Sequence, residues 1–117
     1  MDKKTIGLFG EDLANKYLTK KGYQIIARNY RIGHLEIDLI ASKSNHYFLF
    51  EIKTRSNKLA TLSSPINQQQ QKRLKKAAVL YAASNNLNFD LIHFDLLLII
   101  VERENKKIII KHYADIF

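Results

Sequence analysis

The amino-acid sequence contains no cysteine, a single proline and four glycines among its 117 residues. Without cysteine the chain cannot be a disulfide scaffold or a zinc ribbon, and it cannot use a thiol as a nucleophile or redox group. So little proline and glycine leaves no material for a long linker. The longest apolar run, Leu96 to Val101, is far too short to span a bilayer. The N-terminal residues lack the apolar core of a signal peptide, so we expect a soluble, cytoplasmic protein.

Acidic residues are also scarce. Nineteen Lys and Arg stand against eleven Asp and Glu, which gives a net charge of +8. In a small domain this excess favours a polyanionic partner such as nucleic acid, although many small basic proteins carry such charge only for solubility. Hydrophobic residues make up 46% of the chain, which is enough for one core, so we predict a single domain over residues 1–117. The histidines show no metal-ligand spacing and are interpreted as surface or strand-edge residues: His34, His46, His93 and His112.

Hydrophobic periodicity and turn residues predict the element order αβββαββ. This order fits a central mixed sheet flanked by two helices. The predicted helices cover Lys4 to Lys21 and Ser64-Pro65 to Asn86, and the predicted strands cover Tyr23 to Arg31, Leu35 to Ala41, His46 to Arg55, Asp90 to Glu102 and Lys107 to Tyr113.

Both helices carry recognisable end signals and faces. Gly22 stands where a left-handed C-cap is needed, and Ser64 is the predicted N-cap of the second helix. Apolar residues of the first helix recur at helical spacing: Ile6, Phe9, Leu13 and Tyr17. In the second helix Ile66, Gln70, Leu74, Ala77 and Tyr81 are predicted to face the core, and Lys72, Arg73, Lys75 and Lys76 to face outward.

The second and third strands form a hairpin that carries acidic residues at alternate positions. Strand alternation places Glu36, Asp38 and Ile40 on one face and Leu35, Ile37 and Leu39 on the other. A two-residue turn at Ser44-Asn45 would pair Lys43 with His46 and bring Asp38 opposite Glu51. Two like charges facing each other are unfavourable, so a divalent cation or Lys53 must hold them together. On alternation alone, a solvated face with ion pairs worth ~0–1 kcal/mol explains the pattern equally well.

The spacing of Asp38 and Glu51-Ile52-Lys53 resembles the D…E-x-K signature of the PD-(D/E)XK nuclease superfamily. The resemblance extends over nearly the whole chain to the YraN-like family, bacterial proteins for which an endonuclease activity is expected. Its motifs occur here in the same order: GEDLANKYL, GYQIIARNYR, LEIDLIA, FEIKTR and FDLLLI. It implies a restriction-endonuclease-like αβββαβ core. It also implies hydrolysis of DNA phosphodiester bonds with Mg²⁺ or Mn²⁺, in branched or flapped DNA.

Residue by residue, the resemblance implies that Asp38, Glu51 and Lys53 are catalytic and that Asp38 and Glu51 bind the metal. Glu11 matches the N-terminal GE motif, and archaeal Holliday-junction resolvases are similar in using a helix glutamate. Helical spacing places the small residues Gly7, Gly10 and Ala14 on one stripe with Glu11, which would bring this helix close to the sheet.

Other positions match the family pattern less closely. Glu36 matches the Glu of its GEID motif and is a supporting residue, but Leu35 replaces the glycine, so we expect the turn at Gly33. Gln70 replaces a lysine, although it can still bind a phosphate or a catalytic water. Asp95 matches an FD pair and is expected to be the buried partner of a Lys or Arg.

Three functional hypotheses remain open. The first is a Mg²⁺-dependent DNA nuclease, with DNA bound by Arg55, Lys72, Arg73, Lys75 and Lys76. The second is a nucleic-acid-binding module that keeps the nuclease fold but has lost catalysis, which the Leu35 and Gln70 departures favour. The third is an interaction protein that forms a homodimer through the apolar strand Leu96 to Val101.

Overall fold

The helices and strands follow the predicted order. In a computed structural model, residues 3–56, 66–102, 104 and 106–116 are described. The elements are α1 (Lys3–Lys20), β1 (Gln24–Ile32), β2 (Leu35–Lys43), β3 (His46–Arg55), α2 (Gln68–Ser84), β4 (Ile92–Glu102) and β5 (Lys107–Tyr113). The predicted start of the fourth strand is wrong, because residues Phe89–Leu91 form a 3-10 turn in which the amide of Asp90 donates to Asn88.

The five strands form one mixed sheet in the order β1-β2-β3-β4-β5. Within the part of the chain that the structure describes, only β3 and β4 pair in parallel, and α2 lies in the crossover between them. All the other neighbours are antiparallel. This confirms the prediction of a mixed sheet flanked by two helices, and the arrangement is consistent with a restriction-endonuclease-like core.

The two helices bury opposite faces of the sheet. On one face α2 packs Leu74, Ala77 and Tyr81 against the sheet, which confirms the predicted inward side of this helix. On the other face α1 contributes Ala14 and Leu18. Strand β4 lies between these two layers, and residues 96–100 are at most 2% exposed. The dimer hypothesis based on this strand is therefore wrong, because the monomer's own core covers it.

Helix α1 approaches the sheet through its smallest residues. Gly10, Ala14 and Leu18 are buried, whereas the predicted apolar positions Phe9, Leu13 and Tyr17 are half-buried at the sides of the contact. The side chain of Ile6 lies outside the described residues. A Cβ added at Gly10 would overlap Thr54 Oγ1 and lie 3.0 Å from Thr54 Cβ. The predicted stripe of small residues is thus what allows α1 to contact β3.

The connections also follow the predicted turn chemistry. Ser44 and Asn45 both have positive φ, 53° and 65°, as a type I′ hairpin requires. Lys43 pairs with His46 across this turn, as predicted. Gly33 has φ +60° and closes the β1–β2 connection, which confirms the turn expected there. Gly22 ends α1 with φ +94°.

The start of α2 differs from the prediction. Asn67 is the N-cap, and its side chain accepts a hydrogen bond from the amide of Gln70 at 2.8 Å. In return the amide of Asn67 donates to Gln70 Oε1 at 3.3 Å, which completes a capping box. The helix therefore begins later than the Ser64-Pro65 signal suggests, and those two residues lie outside the described part of the chain.

Three of the histidines, His46, His93 and His112, lie in a connected hydrogen-bonded group that also contains Asp95 and Asp115. His46 Nδ1 lies 2.7 Å from His93 Nε2, and His93 Nδ1 lies 2.7 Å from Asp115 Oδ1. His112 Nε2 lies 2.7 Å from Asp95 Oδ2. The predicted Lys or Arg partner of Asp95 is therefore wrong. This carboxylate, 1% exposed, instead contacts a histidine and accepts from the amide of Asp115.

Glycine at position 10 is expected to be required for stability. Gly10→Ala should lower the free energy of unfolding by ~1–3 kcal/mol, because the new methyl group must displace Thr54 or the helix. Chemical denaturation monitored by circular dichroism measures the difference.

Gly7→Ala is the matched control on the same helix. A Cβ at Gly7 meets nothing within 4 Å, so alanine there should raise stability by up to ~1 kcal/mol through helix propensity. Thr54→Ala should recover part of the stability of the Gly10→Ala protein. Equal stabilisation by both glycine substitutions would contradict the close packing of α1 on β3.

Candidate active site

The acidic site forms where the pairing between β2 and β3 ends. The ladder ends at Leu39 and Phe50, and the next step of the same register places Asp38 opposite Glu51. Beyond this point the Asp38 side chain binds β3 instead: its Oδ2 accepts a hydrogen bond from the Ile52 amide at 2.8 Å. The predicted hairpin register is thus present. Beyond the last backbone pair, the Asp38 side chain continues the contact between β2 and β3.

Strict alternation fails on β2 next to this site. Ile37 and Ile40 both belong to the core under α2, whereas Leu39 belongs to the core under α1. The prediction that Ile37 and Leu39 share a face is therefore wrong. At this step β2 remains paired with β1 but no longer with β3, and Asp38 lies between the two faces and lines a cavity beside each helix. On β3 the alternation holds, with Leu49 on the α2 side and Phe50 on the α1 side.

Burial and neighbouring carboxylates act together on Asp38. Its pKa is raised from 3.8 to about 7, first by desolvation and next by the charge of Glu51, although the hydrogen bond from Ile52 acts in the opposite direction. Glu11 and Glu36 raise the pKa further. All four acidic residues named from the sequence therefore act electrostatically on one place.

Lys53 supplies a cation beside this acidic group. Its Nζ lies 3.4 Å from Glu51 Oε1, and the two side chains are only 16% and 17% exposed. The ion pair follows from the i, i+2 spacing on one strand, because such residues share a face. The Lys53 ammonium group compensates the charge of Glu51, but the pKa of Asp38 is still raised.

Asp38 lines a cavity beside α1 and another beside α2, both formed by described residues. The larger, about 630 Å³, brings together Asp38 with Glu11 and Lys53, and its lining residues are Gly7, Glu11, Asp38, Ile52, Lys53, Thr54, Arg55 and Ser56. The smaller, about 360 Å³, lies beside α2 and is lined by Arg31, His34, Leu35, Glu36, Asp38, Glu51, Arg73, Leu74 and Ala77. Asp38 is common to both.

The structure separates the predicted DNA-binding residues into two groups. Arg55 lines the larger cavity and Arg73 the smaller one. Three lysines instead lie exposed on α2 and are not among the lining residues: Lys72, Lys75 and Lys76. Gln70 is likewise absent from both linings, because its side chain caps the helix, so the structure does not bring it to the carboxylates.

His34 is a cavity residue that sequence reasoning missed. It follows Gly33 in the turn between β1 and β2, and this turn places it beside Glu36 and Arg31. The sequence signal that could have identified His34 was Gly33. Because the turn lies at Gly33, the residue that follows it lines the smaller cavity. Arg31 pairs only loosely with Glu36, at 4.0 Å, and is 79% exposed.

The donor set fits a hard divalent cation bound by few protein ligands. Asp38 and Glu51 supply carboxylate oxygens, which Mg²⁺ prefers, and their mutual repulsion is what a cation would relieve. Within the described residues, no three His, Asp or Glu side chains are arranged to hold a metal ion. Such an ion would therefore need water and substrate oxygens as its other ligands, which is usual for Mg²⁺.

Comparison with known proteins places the chain in a family. A model of the family described as "Uncharacterised protein family UPF0102" matches residues 10–99, which include the hairpin and both helix faces described above. The chain belongs to the UPF0102 family.

UPF0102 proteins of several bacteria match this chain over most of their length. The protein of Syntrophomonas wolfei is 39% identical over 104 residues, covering 88% of this chain and 90% of the relative. The protein of Flavobacterium psychrophilum is 39% identical over 115 residues, covering 96% and 92%. That of Dictyoglomus thermophilum is 36% identical over 107 residues, covering 91% of each. The YraN-like resemblance read from the motifs is thereby confirmed.

Neither helix of this UPF0102 chain, within its described residues, has the length and apolar character needed to cross a membrane.

Asp38 should make stability depend on pH. The folded protein retains a proton on Asp38 up to about pH 7, whereas the unfolded chain releases it near pH 4, so this residue destabilises the fold as pH rises between these values. Asp38→Asn keeps an acceptor for Ile52 and should raise stability on the order of 2 kcal/mol at pH 8, with little effect at pH 4.5. Thermal unfolding in EDTA at both pH values measures this.

The exposed residue Asp90 provides the control, since Asp90→Asn makes the same chemical change outside the acidic site. A gain from Asp38→Asn that is the same at pH 4.5 and pH 8 would contradict the raised pKa.

Proposed function

We propose that this UPF0102 protein is a Mg²⁺- or Mn²⁺-dependent nuclease that hydrolyses phosphodiester bonds of DNA, in branched or flapped structures. The observation that carries the proposal is the meeting of Glu11, Asp38 and Lys53 in one open cavity, with Glu51 paired to the same lysine. Three separate elements, α1, β2 and β3, contribute these side chains. A purely solvated acidic face would not need Asp38 to be largely desolvated.

Each residue has a distinct role in this reaction. Asp38 and Glu51 would hold the metal ion, which when bound supplies Lewis-acid activation of the phosphodiester and of water. Lys53 neutralises the charge that grows on the phosphate oxygens during attack. Glu11, which lines the larger cavity with Asp38 and Lys53, orients the attacking water, and Glu36, which lines the smaller cavity, is a supporting residue.

The charge distribution supports DNA as the polyanion. The net charge of +8 favours association with a polyanion, while Arg55 and Arg73 border the cavities where the phosphates would lie. The exposed lysines of α2 extend this positive surface beyond the site. Binding and cleavage therefore depend on different residues, which allows them to be tested separately.

Cleavage should require the metal and the carboxylates together. Purified protein with Mg²⁺ or Mn²⁺ is expected to cut a panel of duplex, flapped and four-way DNA, and EDTA should stop the reaction. Asp38→Asn, Glu51→Gln and Lys53→Met should each reduce the rate at least ~100-fold, because each removes charge at the reacting phosphate. Labelled oligonucleotides on denaturing gels measure the products.

Asp12→Asn is the matched control for Glu11→Gln, because Asp12 is the next residue on α1 but pairs with Arg28 at the surface. Only the Glu11 variant should slow cleavage. Activity that survives Asp38→Asn would show a contaminating nuclease. Metal-independent binding without cleavage on every substrate would instead favour the binding module, which the capping role of Gln70 also favours.

The lysines of α2 should affect binding but not the chemical step. Lys75→Ala with Lys76→Ala is expected to reduce the slope of log K against log[salt] by ~0.9 for each phosphate of duplex DNA that the variant no longer neutralises. Lys53→Met should leave this slope almost unchanged. Fluorescence anisotropy across a salt series measures it, and Lys16→Ala with Lys20→Ala on α1 is the matched pair. An unchanged slope would mean that the α2 lysines serve only solubility.

A further inference from the structure

Positively charged residues flank Asp38 on two sides of the sheet. The cavity beside α1 contains Lys53 and Arg55, and the cavity beside α2 contains Arg31 and Arg73. The two helices pack on opposite faces of the sheet, so the cavities reach Asp38 from opposite directions. A polyanionic strand that passes Asp38 would meet cations both before and after it.

Arg73 differs from its basic neighbours on α2. It borders the smaller cavity together with Glu51, whereas Lys75 is exposed outside both cavities. Among the ion pairs between described residues, none involves Arg73. The planar guanidinium therefore keeps its donors for a ligand, and its fork matches two oxygens of one phosphate.

Arg55 is similarly available on the other side. Its hydrogen bond within the described residues is to the carbonyl of its neighbour Thr54, at 3.0 Å, and it uses Nη1 alone. The remaining donors lie on an exposed side chain at the wall of the larger cavity. Arg55 and Arg73 are thus two arginines of the same kind, one on each side of the same carboxylate.

Building on the proposed nuclease function, we infer that Arg73 and Arg55 bind the phosphates on the two sides of the scissile bond. The substrate is then a strand that continues in both directions, and the bond that is cut is internal. A terminal nucleotide would occupy only one cavity and bind only one of the two arginines. Arg73 and Arg55 are positioning residues in this arrangement, because they hold the neighbouring phosphates and do not touch the reacting one.

Neutral phosphates test the assignment directly. Oligonucleotides carry a single methylphosphonate immediately 5′ or 3′ of the mapped cleavage position, and cleavage by the wild-type protein should fall about tenfold to hundredfold with either one. Arg73→Ala should abolish sensitivity to one of the two positions, and Arg55→Ala should abolish sensitivity to the other. Lys75→Ala should retain both sensitivities. Shortening the substrate to leave no phosphate on one side should have the same effect as the methylphosphonate there.

Three outcomes would overturn the inference. Arg73→Ala and Arg55→Ala could abolish sensitivity to the same methylphosphonate position, or neither variant could abolish sensitivity to any position. The third outcome is release of single terminal nucleotides as fast as internal bonds are cut. Failure of the nuclease proposal is distinguished by binding in the Asp38→Asn background, which needs no turnover. There each arginine variant should reduce the salt slope by ~0.7 on single-stranded DNA, while Lys20→Ala, at the far end of α1, should not. No reduction in that background overturns the arginine assignment whether or not the protein cleaves DNA.

Discussion

The electrostatic repulsion among four carboxylates that meet at a poorly solvated point of the sheet is the constraint on which the candidate site depends. Asp38 is largely buried at the end of the β2–β3 ladder, and the charges of Glu51, Glu11 and Glu36 all act on it. Bringing like charges out of water is unfavourable, so a sequence selected only for stability would not place them together. The rest of the core offsets this unfavourable free energy, because a helix packs on each face of the sheet. Such local destabilisation inside a well-packed frame is typical of functional sites.

The fold positions Asp38, Glu11 and Arg73 by three different physical means. The amide of Ile52 fixes one oxygen of Asp38, which positions the carboxylate without neutralising it. Glu11 reaches the cavity because the absent side chain at Gly10 lets α1 lie against Thr54. Arg73 arrives through the β3–α2–β4 crossover, since the parallel pairing of β3 with β4 requires a helix over that face. The site is therefore a product of packing at three places, and a change in any of them moves one of its members.

Local sequence signals predicted most of this arrangement. The hairpin register could be worked out because a two-residue turn at Ser44-Asn45 leaves only one pairing, and Gly10 was expected to admit the helix. Alternation failed between Leu39 and Ile37, where β2 is no longer paired with β3 and Ile37 packs into the core under α2. Contacts between residues distant in the chain could not be predicted, such as His46 with His93, because spacing holds no information about which strand ends meet. The start of α2 was misplaced because two capping signals, Ser64 and Asn67, lie close together and propensity alone does not rank them.

The opposite signs of the overall and local charge bear on function. The chain has a net charge of +8, yet the side chains that act on Asp38 form an acidic cluster. Long-range attraction acts on a polyanion as a whole and is screened beyond about 10 Å, whereas repulsion by Asp38 and Glu51 acts on the one phosphate that comes nearest. A binding module would gain affinity from replacing these carboxylates with neutral residues. The carboxylates suit instead the proposed role in which a bound cation would offset their charge, because Lys53 is already paired to Glu51.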